Sequence, residues 1–135
     1  MSGRTRILLL LDDARAVETA TAILDAAGFA VTISGRRHGR VDYITGLDPE
    51  LVLFGVKVPY VDGDEVLQAW SRHPAMKGIP LLILSGCDPA YLDDVVRRSG
   101  AAGFVRTLRL REELVVRVSE CLARRPPADQ PSSTA

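Results

Sequence analysis

Short strand-like runs alternate with longer amphipathic stretches along the chain, and this alternation constrains the fold more than any other feature. Five such runs occur, at residues 7–11, 30–34, 51–54, 81–84 and 104–105. The first run is apolar at every position, which is typical of a strand buried on both faces. In the second run, Val31 and Ile33 alternate with polar neighbours. The runs therefore predict five β-strands.

Helical segments separate the predicted strands. Apolar residues at helical spacing precede both Gly28 and Gly100, and glycine in such a place is typical of a helix C-terminus. Residues 35–48 are less regular and predict only a short helix with Val41 and Ile44. Further helices are predicted around Val66, Leu67 and Trp70, over residues 90–99, and through Leu114, Val115, Val118 and Leu122. Strands that alternate with helices imply right-handed crossovers and a parallel sheet covered on both faces.

Five βα units, with an acidic pair at the end of the first strand, predict an α/β fold: a flavodoxin-like, doubly wound, five-stranded parallel sheet of order 2-1-3-4-5, with helices on both faces. In such sheets, ligands bind beyond the carboxyl ends of the strands, at the switch point between strands 1 and 3. This rule selects the acidic pair Asp12 and Asp13, which ends the first strand, together with residues 55–59, 85–87 and 106–109.

The length and charge of the chain are those of one small globular domain. The chain has 135 residues, and we expect a single domain over residues 1–125. Residues 126–135 are rich in Pro, Ser and Ala and are expected to form a disordered tail. The formal net charge of +0 predicts binding to neither nucleic acid nor membrane. Two cysteines and the lack of a long apolar segment indicate a reducing, cytoplasmic location.

Four segments carry a resemblance to a known family. Residues 6–13 read RILLLLDD, residues 49–63 read PELVLFGVKVPYVDG, residues 79–86 read IPLLILSG and residues 99–105 read SGAAGFV. In this order and spacing, they resemble the receiver domain of the response regulators of two-component signalling. The resemblance covers residues 6–125.

The resemblance implies roles for several residues that match the family pattern. In receivers, two acidic residues after strand 1 help to hold a magnesium ion, and Asp12 and Asp13 stand there. A hydroxyl residue after strand 4 binds phosphoryl oxygens, and Ser85 matches it. An aromatic residue on strand 5 reports the change of state, and Phe104 matches that position.

Three positions depart from the family pattern. Receivers end strand 3 with an aspartate that accepts a phosphoryl group from a histidine kinase, and Gly55 stands at that position. Thr107 stands where the family has a phosphate-binding lysine, and Leu108 replaces the proline that usually follows it. The nucleophile and the phosphate-binding cation are both missing, so ordinary phosphotransfer at residue 55 is excluded.

The acidic pair keeps part of a metal site. Magnesium binds weakly without several well-placed oxygens, and one strand-3 carboxylate is lost here. We therefore expect Mg²⁺ binding at Asp12 and Asp13 to be weak or lost. Lys57, two residues after Gly55, offers an ammonium group that would pair with either aspartate and relieve their repulsion. An outward, solvated Lys57 is the alternative, and the sequence does not decide between the two.

Mixed charges mark the surface formed by the last two predicted helices and the last strand. In the family, this surface commonly supports dimerisation or contacts with partners. It carries six arginines, here called the arginine surface: Arg97, Arg98, Arg106, Arg109, Arg111 and Arg117. Acidic residues lie among them, which suits reciprocal ion pairs across a two-fold interface. A solvated rim explains the same pattern equally well.

The sequence thus predicts a stand-alone, atypical receiver-like signalling domain that is not an enzyme and acts by phosphorylation-independent protein–protein interaction. The expected partner is a histidine kinase, another signalling protein or a second copy of the chain. With no helix-turn-helix after residue 125, direct nucleic-acid binding is not expected. With no long apolar stretch, membrane binding is not expected either. Two alternatives stay open: a phosphorelay receiver that uses Asp12 or Asp13 as a surrogate acceptor, and a small-molecule sensor that uses the altered pocket.

Overall fold

A parallel β-sheet forms the centre of the molecule. The computed structural model describes residues 4–34, 41–55, 78–86 and 88–124. Within them, five strands pair in parallel in the order β2-β1-β3-β4-β5. The strands are β1 (Arg6–Leu10), β2 (Ala30–Ser34), β3 (Leu51–Gly55), β4 (Leu81–Ser85) and β5 (Gly103–Arg106). The predicted strand order is confirmed.

The described helices are α1 (Ala14–Ala26), α2 (Val41–Leu47), α3 (Pro89–Ser99) and α4 (Leu110–Arg124), with a 3₁₀ turn at Thr107–Arg109. The helix predicted around Val66, Leu67 and Trp70 lies outside the described residues, as does the predicted tail at 126–135.

Helix ends follow the local chemistry of the sequence. Asp13 precedes α1 and Asp88 precedes α3, and each carboxylate accepts a hydrogen bond from a backbone N–H of the first turn. At the other ends, Gly28 has a φ of 95° and Gly100 a φ of 79°. These left-handed conformations favour glycine, because a Cβ would crowd the neighbouring carbonyl. Both predicted stops are confirmed.

Two apolar clusters, one on each face of the sheet, make up the core. The first includes Leu9, Leu53 and Leu84 from the strands and residues of α1 and α4. The second includes Phe54 and Ile83 and residues of α2 and α3. Because successive strand residues point to opposite faces, the continuous apolar strands supply both clusters at once. The prediction of helices on both faces is thus confirmed.

The edge strand β2 departs from the burial that its alternation predicts. Ile33 is 51% exposed, whereas Ser34 next to it is only 8% exposed. The hydroxyl groups of Ser34 and Tyr43 lie 2.7 Å apart and share a hydrogen bond. Because β2 has one neighbouring strand and Ser34 finds a polar partner on α2, the polar residue is the better-covered one here.

Arg6 links two segments at the amino edge of the sheet. Arg6 Nε donates to the backbone oxygen of Asp48 at 2.8 Å, and its NH2 group lies 3.2 Å from the Asp48 carboxylate. The backbone N–H of Arg6 donates to Glu50 Oε1 at 2.9 Å. These bonds join β1 to the turn before β3, at the end of the sheet opposite Asp12 and Asp13.

No helix in the described ranges combines the length and the apolar character that crossing a bilayer requires.

Candidate functional site

The carboxyl ends of the parallel strands form one edge of the sheet, and most of the predicted site residues lie there. Asp12 and Asp13 directly follow β1, Gly55 is the last residue of β3, and Ser85 is the last residue of β4. Ser85 pairs in register with Arg106, the last residue of β5. Of the residues that the switch-point rule selected, the structure therefore brings together those that it describes, from the ends of four strands.

Asp13 has a structural task that the family resemblance does not indicate. It is the N-cap of α1, and its Oδ1 accepts a hydrogen bond from the backbone N–H of Arg15 at 3.0 Å. Asp12 and Asp13 are both exposed. Among the described residues, no group of three or more His, Cys, Asp or Glu side chains is arranged to hold a metal ion. Within that part of the chain, the acidic pair is thus not joined by a third such ligand.

Gly55, the last residue of β3, presents no side chain at the carboxyl edge of the sheet. An ideal Cβ built on Gly55 would lie 2.8 Å from Leu11 Cδ2, closer than real Cβ contacts come. Leu11 follows β1 and is 4% exposed. The sequence predicted Leu11 only as part of an apolar strand. No signal in the sequence points to its place beside residue 55, because that contact joins two different strands.

The remaining matches to the receiver pattern are spread over β4, β5 and the turn after them. Ser85 is buried, with 2% exposure. Phe104 is partly buried and packs against the second core cluster. Thr107 begins the 3₁₀ turn and is partly buried, and the Leu108 side chain after it is 89% exposed. The turn after β5 thus begins with a hydroxyl side chain and then presents an apolar one to solvent.

Lys57 lies outside the described residues. Its ion pair with Asp12 or Asp13 therefore stays a prediction.

Three arginines of the arginine surface form ion pairs with acidic residues three or four positions away. Arg97 lies 3.4 Å from Asp94, Arg117 lies 3.2 Å from Glu120, and Arg109 lies 3.9 Å from Glu112 and 3.8 Å from Glu113. Apart from Glu113, whose side chain is 25% exposed, the paired side chains are 46–72% exposed, and each such surface pair contributes between about 0 and 1 kcal/mol.

The other three arginines of this surface differ in what the structure describes. Arg106 is partly buried at the end of β5, and Arg111 is exposed on α4. Arg98 belongs to α3, but its side chain is outside the described part of the structure. An interface role for the six arginines stays a prediction.

A cavity of about 290 Å³ lies between α3, β5 and α4. Phe104 and the buried Cys121 contribute to its walls, and Asp93, Arg117 and Glu120 supply charged groups. None of Asp12, Asp13, Gly55 and Ser85 lines it. This cavity is therefore separate from the carboxyl edge.

The sequence of the chain matches no family model. Curated relatives nevertheless exist. The chain is 25% identical over 135 residues to the transcriptional regulatory protein FixJ of Bradyrhizobium diazoefficiens, a match that covers 100% of this chain and 65% of FixJ. It is 31% identical over 123 residues to the DNA-binding response regulator MtrA of Mycobacterium tuberculosis, covering 90% of this chain and 52% of MtrA. The chain thus spans between about half and two thirds of the length of these relatives.

Solved structures show the same fold. The chemotaxis protein CheY4 of Vibrio cholerae superposes with a TM-score of 0.74 and 18% sequence identity, and the match covers 88% of this chain and 99% of CheY4. The fold of CheY4 therefore extends over almost the whole of this domain. Together with the curated relatives, it leads to one conclusion: the chain contains a two-component response-regulator receiver-like domain of the CheY type.

Proposed function

We propose that this receiver-like domain is a degenerate one that acts by phosphorylation-independent protein–protein interaction. One observation carries the proposal: β3 ends in Gly55, at the edge of the sheet where the family pattern has its phosphate-accepting aspartate. An acyl phosphate needs a side-chain carboxylate as nucleophile, and glycine has none. The fold is kept while this group is lost.

The position after β5 supports the same proposal. Receivers place a lysine there, whose positive charge binds the oxygens of the transferring phosphoryl group. Thr107 offers a hydroxyl group instead. A neutral hydroxyl donates a hydrogen bond but does not neutralise an anion. Gly55 at the end of β3 and Thr107 directly after β5 therefore each weaken the ability of this edge to hold a phosphoryl group.

Asp12 and Asp13 are poor substitutes for the missing acceptor. The Asp13 carboxylate already caps α1 through the Arg15 N–H, and covalent modification of its oxygen would compete with that hydrogen bond. A Mg²⁺ ion at this edge would be held by these two carboxylates, which supply few of the oxygens that the ion requires. The observed cap therefore argues against Asp13 as a surrogate acceptor, and the small number of Mg²⁺ ligands argues against a phosphorelay through Asp12 or Asp13 alike.

We further propose that the domain signals through another chain: a histidine kinase, another signalling protein or a second copy of itself. The arginine surface is the proposed contact site, because exposed arginines exchange ion pairs within a helix for ion pairs with a partner at little cost. The MtrA relatives are named DNA-binding response regulators. For this chain, the net charge of +0 favours protein contacts over direct contacts with nucleic acid. We also propose a cytoplasmic, non-enzymatic role.

Intact-mass measurement after incubation with acetyl phosphate and Mg²⁺ tests the proposal. An aspartate-containing receiver treated in parallel serves as the positive control. We expect a phosphoryl adduct on the control and none on the wild-type chain. A stable adduct on the wild type would contradict the proposal. Its loss in Asp12→Asn or Asp13→Asn would then identify the surrogate acceptor, and asparagine at residue 13 preserves the helix cap.

A further inference from the structure

The space beside Gly55 is already occupied. A Cβ on Gly55 would meet Leu11 Cδ2 at 2.8 Å, while the two other nearest atoms, Leu10 O and Leu11 Cα, lie at ordinary distances of 3.7 and 3.8 Å. Among the described residues, the end of one side chain is therefore the obstruction. We propose that Leu11 closes the acceptor position, so that a side chain at residue 55 has to displace the end of Leu11 unless Leu11 is shortened.

The backbone of Gly55 does not itself require glycine. Residue 55 belongs to β3 and pairs in register with Leu84. Among the described residues, the glycines with positive φ are Gly28 and Gly100. Glycine inside a strand is less stable than alanine by about 0.5–1 kcal/mol where the backbone allows both. Packing against Leu11, rather than backbone conformation, accounts for a glycine at this strand end.

Leu11 is not free to move away at no cost. It is 4% exposed and belongs to the first core cluster, with Leu9, Leu53 and Leu84 among its members. Protein interiors are close-packed, so a new methyl group at residue 55 would force Leu11 into another rotamer or move its neighbours. The two residues therefore form a coupled pair: glycine at 55 makes room for leucine at 11.

This inference deepens the proposed function and rests on it for its biological meaning. If the acceptor position is closed by a neighbour as well as stripped of its carboxylate, the Gly55→Asp change alone places an acidic side chain against a buried leucine. Phosphorylation independence then depends on both Gly55 and Leu11, and the Gly55→Asp substitution alone does not restore a working acceptor.

A mutant cycle read by urea unfolding tests the coupling. Gly55→Ala is made in the wild type and in Leu11→Ala, with Leu11→Val as a milder second background. Gly103→Ala is the matched control, because it adds a Cβ to another strand glycine whose nearest neighbour, Leu82 Cδ1, lies at an ordinary 3.7 Å.

We expect the effect of Gly55→Ala on stability to change sign when Leu11 is shortened. In the wild type, we expect Gly55→Ala to raise the unfolding equilibrium constant. With Leu11 shortened, we expect the same substitution to lower it, as Gly103→Ala does in every background by about two- to fivefold. The coupling between residues 11 and 55 should amount to a factor of about five to 150, the range that overpacking in cores produces.

Two outcomes would overturn the inference: Gly55→Ala stabilises the wild type as much as Gly103→Ala does, or its effect is the same with and without Leu11. The cycle uses no phosphodonor, so additivity would refute the coupling while leaving the proposed function intact. Conversely, phosphorylation of the wild type would refute the proposed function and leave the coupling standing.

Discussion

Replacing Asp13 by alanine separates the two roles that an acidic residue after β1 can have, a helix cap and a metal ligand. Asp13 Oδ1 accepts a hydrogen bond from the Arg15 N–H at 3.0 Å. Loss of an aspartate N-cap costs about 0.5–2 kcal/mol. Because Asp13 is exposed, water replaces part of the lost bond, and we expect a decrease of about 1 kcal/mol in the free energy of unfolding. For a domain of this size, that decrease lowers Tm by about 4 °C.

The chain offers a matched control for this change. Asp88 caps α3 in the same way, with its Oδ2 accepting from the Ala90 N–H at 3.1 Å, and Asp88 is also exposed. We expect Asp88→Ala to cost about as much as Asp13→Ala. Asp13→Asn should cost little, because asparagine caps helices about as well as aspartate.

Urea unfolding of these variants, with and without Mg²⁺, is the assay. A ligand present at 100 times its Kd and specific for the folded state stabilises a protein by about 2.7 kcal/mol. We expect Mg²⁺ to change the unfolding of the wild type and of Asp13→Asn by the same small amount. A strong stabilisation of the wild type that Asp13→Asn abolishes would show that Asp13 is a metal ligand, and would refute the assignment of a cap alone.

Two further pairs of substitutions test the packing and the backbone. Leu24→Ala should lower the free energy of unfolding by about 3 kcal/mol, because Leu24 is 0% exposed in the core; Val116→Ala, at a side chain that is 52% exposed, should change it by less than about 0.5 kcal/mol, and equal effects would contradict the burial described. Gly100→Ala should lower the Tm measured by calorimetry, since the φ of 79° costs an L-residue about 1–2 kcal/mol. Gly46→Ala should raise it slightly, because a Cβ at residue 46 would meet no atom of the other described elements within 4 Å and alanine is the better helix former.

The features of the fold that could be predicted from the sequence are those that depend on one segment at a time. The continuous apolar run at the start of the chain predicts a strand buried on both faces, and Leu8 and Leu9 are 1% and 0% exposed. Gly28 and Gly100 predict helix ends because a left-handed conformation at a helix end depends only on the residues of that turn. The strand order was predicted from the five alternating βα units together with the acidic pair that ends the first strand.

What the sequence could not predict depends on contacts between segments. Ile33 looks like a core residue in its own strand, but its exposure depends on the position of β2 at the edge. Asp13 is an exception: its cap bond to the Arg15 N–H is local, but the match of Asp13 to the metal-binding pattern left the cap out of the prediction. Leu11 and Gly55 lie far apart in sequence, and their contact exists only because β1 and β3 are neighbours in the sheet. The candidate site was therefore predicted in its location but not in its packing.

The central claim is that the carboxyl edge of this receiver-like domain does not respond to phosphoryl donors. Two-dimensional amide NMR spectra, recorded with Mg²⁺ alone and then with Mg²⁺ and acetyl phosphate, test it most directly. We predict that the signals of Gly55, Ser85 and Thr107 stay unchanged when the donor is added. A second, saturable set of signals at these residues would contradict the claim.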